Sequence, residues 1–101
     1  PAVLEGIALI VDANVAASDV EEVIRKAGGR LLKDVMLFDV YTGDPIPAGK
    51  KSLAYALTYR DDEKTLTDKN VAKIRKKIIG ASKKKQGLLL NPNQTILNIA
   101  A

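Results

Sequence analysis

The amino-acid sequence predicts a single α+β domain in which a four-stranded antiparallel sheet carries two helices on one face. Strand-like and helix-like segments follow one another in the order βαββαβ, which is typical of a split βαβ arrangement. Residues 37–59 are predicted to form a long β-hairpin, because both arms alternate with the period of a strand on either side of a Gly/Pro/Asp cluster. The chain has 101 residues, enough for one modest hydrophobic core and too few for two.

Composition narrows the classes of function. The chain has neither His nor Cys, which excludes disulfides, thiolate metal sites and the commonest general base. The acidic residues Asp61, Asp62 and Glu63 lack the alternating spacing of a calcium loop, so we expect them at the surface and predict no metal site. No apolar run approaches the ~18 residues of a membrane span, which predicts a soluble domain. The net charge of +4 is compatible with a nucleic-acid partner without establishing one.

The first strand and helix are indicated by local pattern. The apolar run from Gly6 to Val11 ends at turn-prone residues, which favours a strand buried on at least one side. Ser18 followed by Glu21 matches a capping box, so a helix is expected over 19–27 with its apolar residues on one face. The pair Gly28-Gly29 then predicts a left-handed end to that helix.

The two arms of the hairpin assign residues to opposite sides of the sheet. In the first arm, Met36, Phe38 and Val40 form an all-apolar side that we expect to face the core. In the returning arm the core side carries the large residues Leu53, Tyr55, Leu57 and Tyr59. The side away from the helices, which we call the open face, is expected to carry Ala8, Ile10, Asp12, Val35, Leu37, Asp39, Tyr41, Ser52, Ala54, Ala56 and Thr58.

A second helix is predicted after the hairpin. Thr67 can cap its start, and Leu66 and Val71 stand at the spacing of a hydrophobic staple. Ile74 and Ile78 continue the apolar stripe among several lysines, which are most simply a solvated face. The helix is therefore expected to be strongly basic on its outside.

The end of the chain is the least regular part. Gly80 and Ser82 interrupt the stripe, so a frayed helix end is expected there, followed by a fourth strand over Leu88–Leu90. The tail 91–101 has too few apolar positions for an assignment and is expected to be disordered or to dock on an edge. The chain begins at Pro1 without a signal-peptide pattern, and we interpret it as a domain excised from a larger, cytoplasmic protein.

The hairpin and the start of the second helix resemble a known family. The matching pattern consists of Phe38, Asp39, Tyr41, Gly43, then Gly49, Lys51, Ser52, Leu53, Ala54, then Thr65, Leu66, Thr67 and Asp68. It is similar to the ferredoxin-fold anticodon-binding domain at the C-terminus of the phenylalanyl-tRNA synthetase beta chain. The resemblance covers about Ile7 to Leu90, and the family's fold is the ferredoxin-like βαββαβ sandwich. The chain departs from the family where Glu5-Gly6 replaces Arg-Asp and where an Arg is absent after Gly87.

The resemblance implies binding of the anticodon loop of a phenylalanine tRNA on the open face. Tyr41 would stack on an anticodon base, Asp39 and Ser52 would bond to base edges, and Ala8 matches a small position of the contact surface. Lys50 and Lys51, beside the hairpin loop, would add supporting charge. It also implies that the rest of the beta chain and the alpha chain are partners. ATP and magnesium would serve the parent ligase, with no cofactor and no catalytic residue in this domain.

Other functions stay open at this point. Many small-ligand and protein-interaction modules share this fold. The segment 51–57 also loosely resembles an RNA-recognition motif, although Leu53 stands where that motif needs an aromatic residue. Taken alone, Tyr41 is most simply a partly buried aromatic at a strand end, and Asp39 is equally well a turn former or a residue that protects a sheet edge.

Overall fold

The computed structural model describes residues 1–84, 88 and 89. Its elements are β1 (Val3–Asp12), α1 (Ala17–Gly28), a 3-10 turn (Gly29–Leu31), β2 (Leu32–Tyr41), β3 (Lys50–Tyr59), α2 (Asp68–Lys84) and the two-residue β4 (Leu88–Leu89). All neighbouring strands are antiparallel and their order is β2-β3-β1-β4. The α+β class and the order of the three long strands and two helices are as predicted. Within the described residues, no helix is long and apolar enough to cross a membrane.

The predicted fourth strand is present only as a short segment. Leu88 and Leu89 pair with Val11 and Ile10 at the outer side of β1. Leu90, the last residue of the predicted strand, and the tail 91–101 lie outside the described residues. The described sheet therefore consists of three long strands and this two-residue addition.

The hydrophobic core lies between the sheet and the two helices. Its sheet side includes Ile7, Leu9, Val11, Leu53, Tyr55, Leu57 and Tyr59, each at most 1% exposed. Its helix side consists of Val20, Ile24, Val71, Ile74 and Ile78. The predicted core side of β3 is confirmed, because the large residues of that strand are buried and the small ones alternate with them.

Two buried tyrosines of β3 connect the sheet to the rest of the core. The Tyr55 hydroxyl donates to the carbonyl oxygen of Ala17 at 2.8 Å, and the Tyr59 hydroxyl donates to Glu5 Oε1 at 3.0 Å. Glu5 is also ion-paired with Arg75 of α2. Burial is the main cause that raises the pKa of both tyrosine hydroxyls well above the ordinary value. Polar contacts therefore join β1, β3 and both helices inside the core.

Helix α1 begins at Ala17, and the predicted capping box at Ser18 is wrong. The residue before the helix makes no side-chain cap, and Glu21 instead accepts a hydrogen bond from Arg25 Nε at 3.1 Å. The core contact of Ala17 and its bond from the buried tyrosine favour the earlier start. The predicted end of the helix is confirmed, since Gly29 has a φ of +67°.

Helix α2 begins at the predicted cap but does not end at the predicted break. The Asn70 amide N–H donates to Thr67 Oγ1 at 3.2 Å, and Asn70 Oδ1 accepts from the Thr67 N–H at 3.0 Å. The helix then continues through Gly80 and Ser82. Ser82 is buried, and its hydroxyl donates to the carbonyl oxygen of Ile78 at 2.8 Å. This bond satisfies the hydroxyl within the helix, so no break is needed there.

Strand β2 departs from strict alternation at two points. Its register against β3 shifts by one residue at Lys33 and again at Phe38, so that each is an extra residue in the strand. Between the shifts, Val35 and Leu37 pair with core residues of β3. Val35 is 4% exposed and Leu37 packs against the core. The prediction that these two residues lie on the open face is therefore wrong.

The expected core side of β2 is wrong for Met36 and Phe38 for the same reason, since they are 57% and 52% exposed. Val40 pairs with the core residue Leu53 and so lies on the predicted side, but it is 52% exposed rather than buried. A bulge inserts one residue and reverses the side to which the preceding residues point relative to those that follow it. Beyond the bulge at Phe38, Asp39 and Tyr41 return to the open face as predicted, opposite Ala54 and Ser52.

Candidate nucleic-acid interface

The strand register brings the predicted contact residues into two adjoining rows of the open face. Tyr41 pairs with Ser52 in one row, and in the next row Asp39 pairs with Ala54, which pairs with Ala8. Cβ atoms of directly opposed residues in antiparallel strands lie about 4.5–5.5 Å apart. Rows on one face repeat about every 6.8 Å. Asp39, Tyr41 and Ser52 are thus close enough to contact one nucleotide together.

Tyr41 has an exposed ring and a hydroxyl that is held by a hydrogen bond. The residue is 47% exposed, and its hydroxyl donates to the carbonyl oxygen of Asp44 at 2.6 Å. One end of the ring is thereby held while much of the side chain stays accessible. An aromatic side chain that is already fixed in its binding conformation loses less conformational entropy when a ligand stacks on it. Tyr41 is therefore a suitable stacking surface.

The loop between β2 and β3 holds the carbonyl that fixes Tyr41. Gly43 and Gly49 have φ values of +96° and +79°, a region that glycine enters without strain. The Ile46 N–H donates to the Gly43 carbonyl at 2.7 Å, and the Ala13 N–H donates to the Gly49 carbonyl at 2.9 Å. These bonds close the loop on itself and anchor it beside the end of β1.

Asp39 and Ser52 supply hydrogen-bonding groups beside the ring. Asp39 is exposed and Ser52 is half-buried. Neither side chain bonds to another described residue. A carboxylate accepts hydrogen bonds, and a hydroxyl both donates and accepts. Together they can satisfy the N–H and carbonyl groups along the edge of a base.

The accessible part of the open face lies over β2 rather than β1. Ala8 is only 1% exposed and Ala54 only 7% exposed. Ala8 has the orientation that the sequence predicts, but the described surface offers little of it to a ligand. The contact area is consequently centred on Tyr41 and Asp39, with small residues beside them.

The two lysines proposed as supporting charge occupy different places. Lys50 forms an ion pair with Asp12, and its side chain is 23% exposed. Lys51 pairs in register with the core residue Val11, so it lies on the helix side of the sheet. The structure therefore does not bring Lys51 together with Tyr41, and the charge of Lys50 is already partly neutralised.

Sequence reasoning missed Phe38 as a residue of this surface. Leu37 packs against the core, so alternation directs Phe38 to the open face, while the register directs Asp39 there as well. The bulge thus presents both residues on one side. The sequence does contain a signal, because strict alternation would align the charged Asp39 with the apolar Val35 and Leu37. A bulge between them resolves that conflict.

Among the described residues, neither the acidic cluster after β3 nor the depression between the helices has the features of a competing site. Asp61 is 7% exposed, and its Oδ1 accepts from the Glu63 N–H at 2.9 Å, so its expected surface position is wrong. Among the described residues, no group of three or more Asp or Glu residues could hold a metal ion. A depression of about 300 Å³ lies between the helices and is lined by Val23, Lys26, Ala27 and Ala81. The described part of its lining is mainly apolar and does not bring together the polar groups that are typical of a small-molecule site.

Comparison with known proteins identifies the family to which these features correspond. The family model described as "Ferredoxin-fold anticodon binding domain" matches residues 1–90. The phenylalanine–tRNA ligase beta subunit of Geobacillus kaustophilus is 50% identical over 90 residues, covering 89% of this chain and 11% of the relative. The protein of the same name from Clostridium acetobutylicum is 51% identical over 79 residues, covering 78% and 10%. That from Bacillus subtilis is 46% identical over 81 residues, covering 80% and 10%. The chain thus spans about a tenth of the length of these curated relatives.

Proposed function

The chain belongs to the ferredoxin-fold anticodon-binding domain family, and we propose that it binds the anticodon loop of a phenylalanine tRNA. The relatives, all named phenylalanine–tRNA ligase beta subunits, support this choice of tRNA. The observation that carries the proposal is the strand register, which sets Tyr41 opposite Ser52 and places Asp39 in the adjoining row of the exposed surface.

Recognition on this surface combines stacking with contacts to base edges. A loop base lies on the Tyr41 ring, an interaction worth roughly 1–3 kcal/mol per base. The Asp39 carboxylate accepts hydrogen bonds from N–H groups of a base, and the Ser52 hydroxyl donates or accepts beside it. Ala8 and Ala54 have small side chains, so a base can approach the sheet closely beside Tyr41. Bases of a single-stranded loop suit this arrangement because they expose both their faces and their pairing edges.

Phosphate contacts contribute little in this proposal. Lys50 and Lys51 remain the proposed supporting charges, but Lys50 is paired with Asp12 and Lys51 lies on the helix side. For single strands, the logarithm of the binding constant falls with the logarithm of the salt concentration by about 0.7 for each neutralised phosphate. We therefore expect binding to weaken with salt, but with a shallow slope.

We also propose that the chain is one domain of a longer cytoplasmic protein whose other parts carry catalysis. Its partners are then the remainder of the beta chain and the alpha chain, and the whole enzyme joins phenylalanine to its tRNA with ATP and magnesium. The family resemblance, and not a feature of this domain, is the basis on which we assign ATP and magnesium to the rest of the enzyme. We also retain the prediction of a full fourth strand as a proposal, because the described part of β4 has only two residues.

Titration of the chain with the anticodon stem-loop of phenylalanine tRNA tests the binding proposal. We expect NMR shift changes at Asp39, Tyr41 and Ser52, which diminish as salt is added. A stem-loop of the same stem with an unrelated anticodon serves as the control and should bind more weakly. Shift changes confined to the two helices, or none at millimolar RNA, would contradict the proposal. Such an outcome would favour the alternative of a small-ligand or protein-interaction module.

A further inference from the structure

An exposed aromatic residue lies beside the proposed contact surface and is not used by it. Phe38 is 52% exposed in the bulge of β2, and Met36 on the same strand is 57% exposed. Neighbouring residues of β2, Val35 and Leu37, lie in or against the core. Beside these buried residues, Phe38 keeps its phenyl ring exposed. Exposed apolar groups that are clustered in this way mark binding surfaces.

We propose that Phe38 is a second stacking platform, which takes the base next to the one that lies on Tyr41. This inference rests on the proposed function and adds a second base to it. The two aromatic residues are on the same strand and the same face, with Asp39 between them. Three residues of extended strand span roughly 10 Å, so each ring can serve a different base of an extended loop.

The residues around Phe38 favour a nucleic-acid base over a protein side chain as the occupant. A partner covering Phe38 also covers Asp39, which bonds to no other described residue. Burying a carboxylate without hydrogen-bond donors is costly. A nucleic-acid base has a flat face that can stack on Phe38 and N–H groups along its edge that can donate to Asp39. One ligand therefore meets both needs.

Substitutions at Phe38 and Val40 test the inference with a matched pair. Both residues are 52% exposed on β2, but Val40 pairs with Leu53 and so lies on the helix side. Phe38→Leu keeps an apolar side chain but removes the ring. Val40→Ala removes apolar atoms from a residue with the same fractional exposure. We expect Phe38→Leu to weaken binding of the anticodon stem-loop by roughly 5- to 150-fold. Val40→Ala should change it by less than about twofold.

Abasic nucleotides, placed at one loop position at a time, identify the base on each ring. We expect the effect of Phe38→Leu to vanish at one abasic position and the effect of Tyr41→Leu at the adjacent one. Fluorescence provides a direct readout, because the chain has no Trp. The Phe38→Trp variant should be quenched when the stem-loop binds, and Val40→Trp should not. These results would be specific to stacking, since loss of fold would not depend on the loop position.

The outcomes separate this inference from the proposed function. If the unmodified chain binds the stem-loop and Tyr41→Leu weakens it, but Phe38→Leu behaves like Val40→Ala, the second platform is wrong and the proposed function stands. If both aromatic substitutions lose their effect at the same abasic position, a single base contacts both rings and the inference is also wrong. If the unmodified chain fails to bind at millimolar RNA, both proposals fail.

Discussion

The two faces of the sheet use tyrosine in opposite ways. On the helix side, Tyr55 and Tyr59 are fully buried, and their hydroxyls donate to groups within the domain. On the open face, Tyr41 is 47% exposed and its hydroxyl donates to a loop carbonyl. All three residues lie in the same hairpin. The comparison shows that the strand register, rather than the residue type, decides whether a tyrosine is buried in the core or stays exposed on the open face.

The largest expected effect concerns the buried member of this comparison. Tyr59→Ala should lower the free energy of unfolding by about 3–5 kcal/mol, the range for removing a large aromatic side chain from a core. It also removes one hydrogen bond from the buried carboxylate of Glu5. Tyr41→Ala is the matched control and should cost below about 1 kcal/mol, because it removes one exposed hydrogen bond. Urea denaturation of both variants measures the difference, and equal losses would mean that the two faces do not differ as described.

A second test addresses the ion pair that supports the buried tyrosine. Arg75→Met leaves the Glu5 carboxylate, whose side chain is 9% exposed, without its cation. We expect a loss of about 3 kcal/mol, at the lower end for breaking a buried pair because Arg75 itself is 27% exposed. Arg60→Met is the control, since the pair of Arg60 with Asp62 is 55% and 65% exposed and such pairs contribute about 0–1 kcal/mol. Denaturation midpoints that fall equally in the two variants would show that the Glu5 network is not a buried pair in solution.

The third prediction is that the free energy of unfolding falls at alkaline pH because of the two buried tyrosine hydroxyls, Tyr55 and Tyr59. Because the pKa of each buried hydroxyl is raised, both stay protonated in the folded state, whereas the unfolded chain begins to lose these protons near pH 10. Their stabilising contribution is complete below that pH and declines above it. The free energy of unfolding should fall by up to about 1.4 kcal/mol per pH unit for each tyrosine. Urea denaturation at several alkaline pH values should give a shallower decline for Tyr59→Phe, and an unchanged slope would contradict the assignment.

The sequence pattern predicts the buried side of a strand where large and small residues alternate clearly. In β3 the large residues Tyr55 and Leu57 alternate with small ones, so the core side can be identified and the structure confirms it. In β2 both sides are apolar, since Val35 and Leu37 compete with Met36 and Phe38. Alternation cannot then show which side is buried. The bulges that settle the question come from pairing with β3, which is a tertiary feature.

Local signals also failed where tertiary contacts outweighed them. The Ser18 capping box is a good local signal, but α1 starts at Ala17, whose carbonyl accepts a bond from Tyr55. Gly80 and Ser82 weaken a helix in isolation, yet α2 continues through both. The proposed contact residues were identified by resemblance together with the face of the sheet. Phe38 was assigned to the core because strict alternation was assumed along β2, although the charged Asp39 in line with Val35 and Leu37 is a signal for the bulge.

The most direct test of the open face is a paired measurement on Tyr41→Ala. Affinity for the anticodon stem-loop of phenylalanine tRNA and the melting temperature are measured on the same sample, with the unmodified chain and Tyr59→Phe for comparison. We predict that binding weakens by about 1–3 kcal/mol, while the melting temperature stays close to that of the unmodified chain. Unchanged affinity, or a melting temperature that falls by more than it does in Tyr59→Phe, would contradict the assignment of Tyr41 to an exposed binding surface.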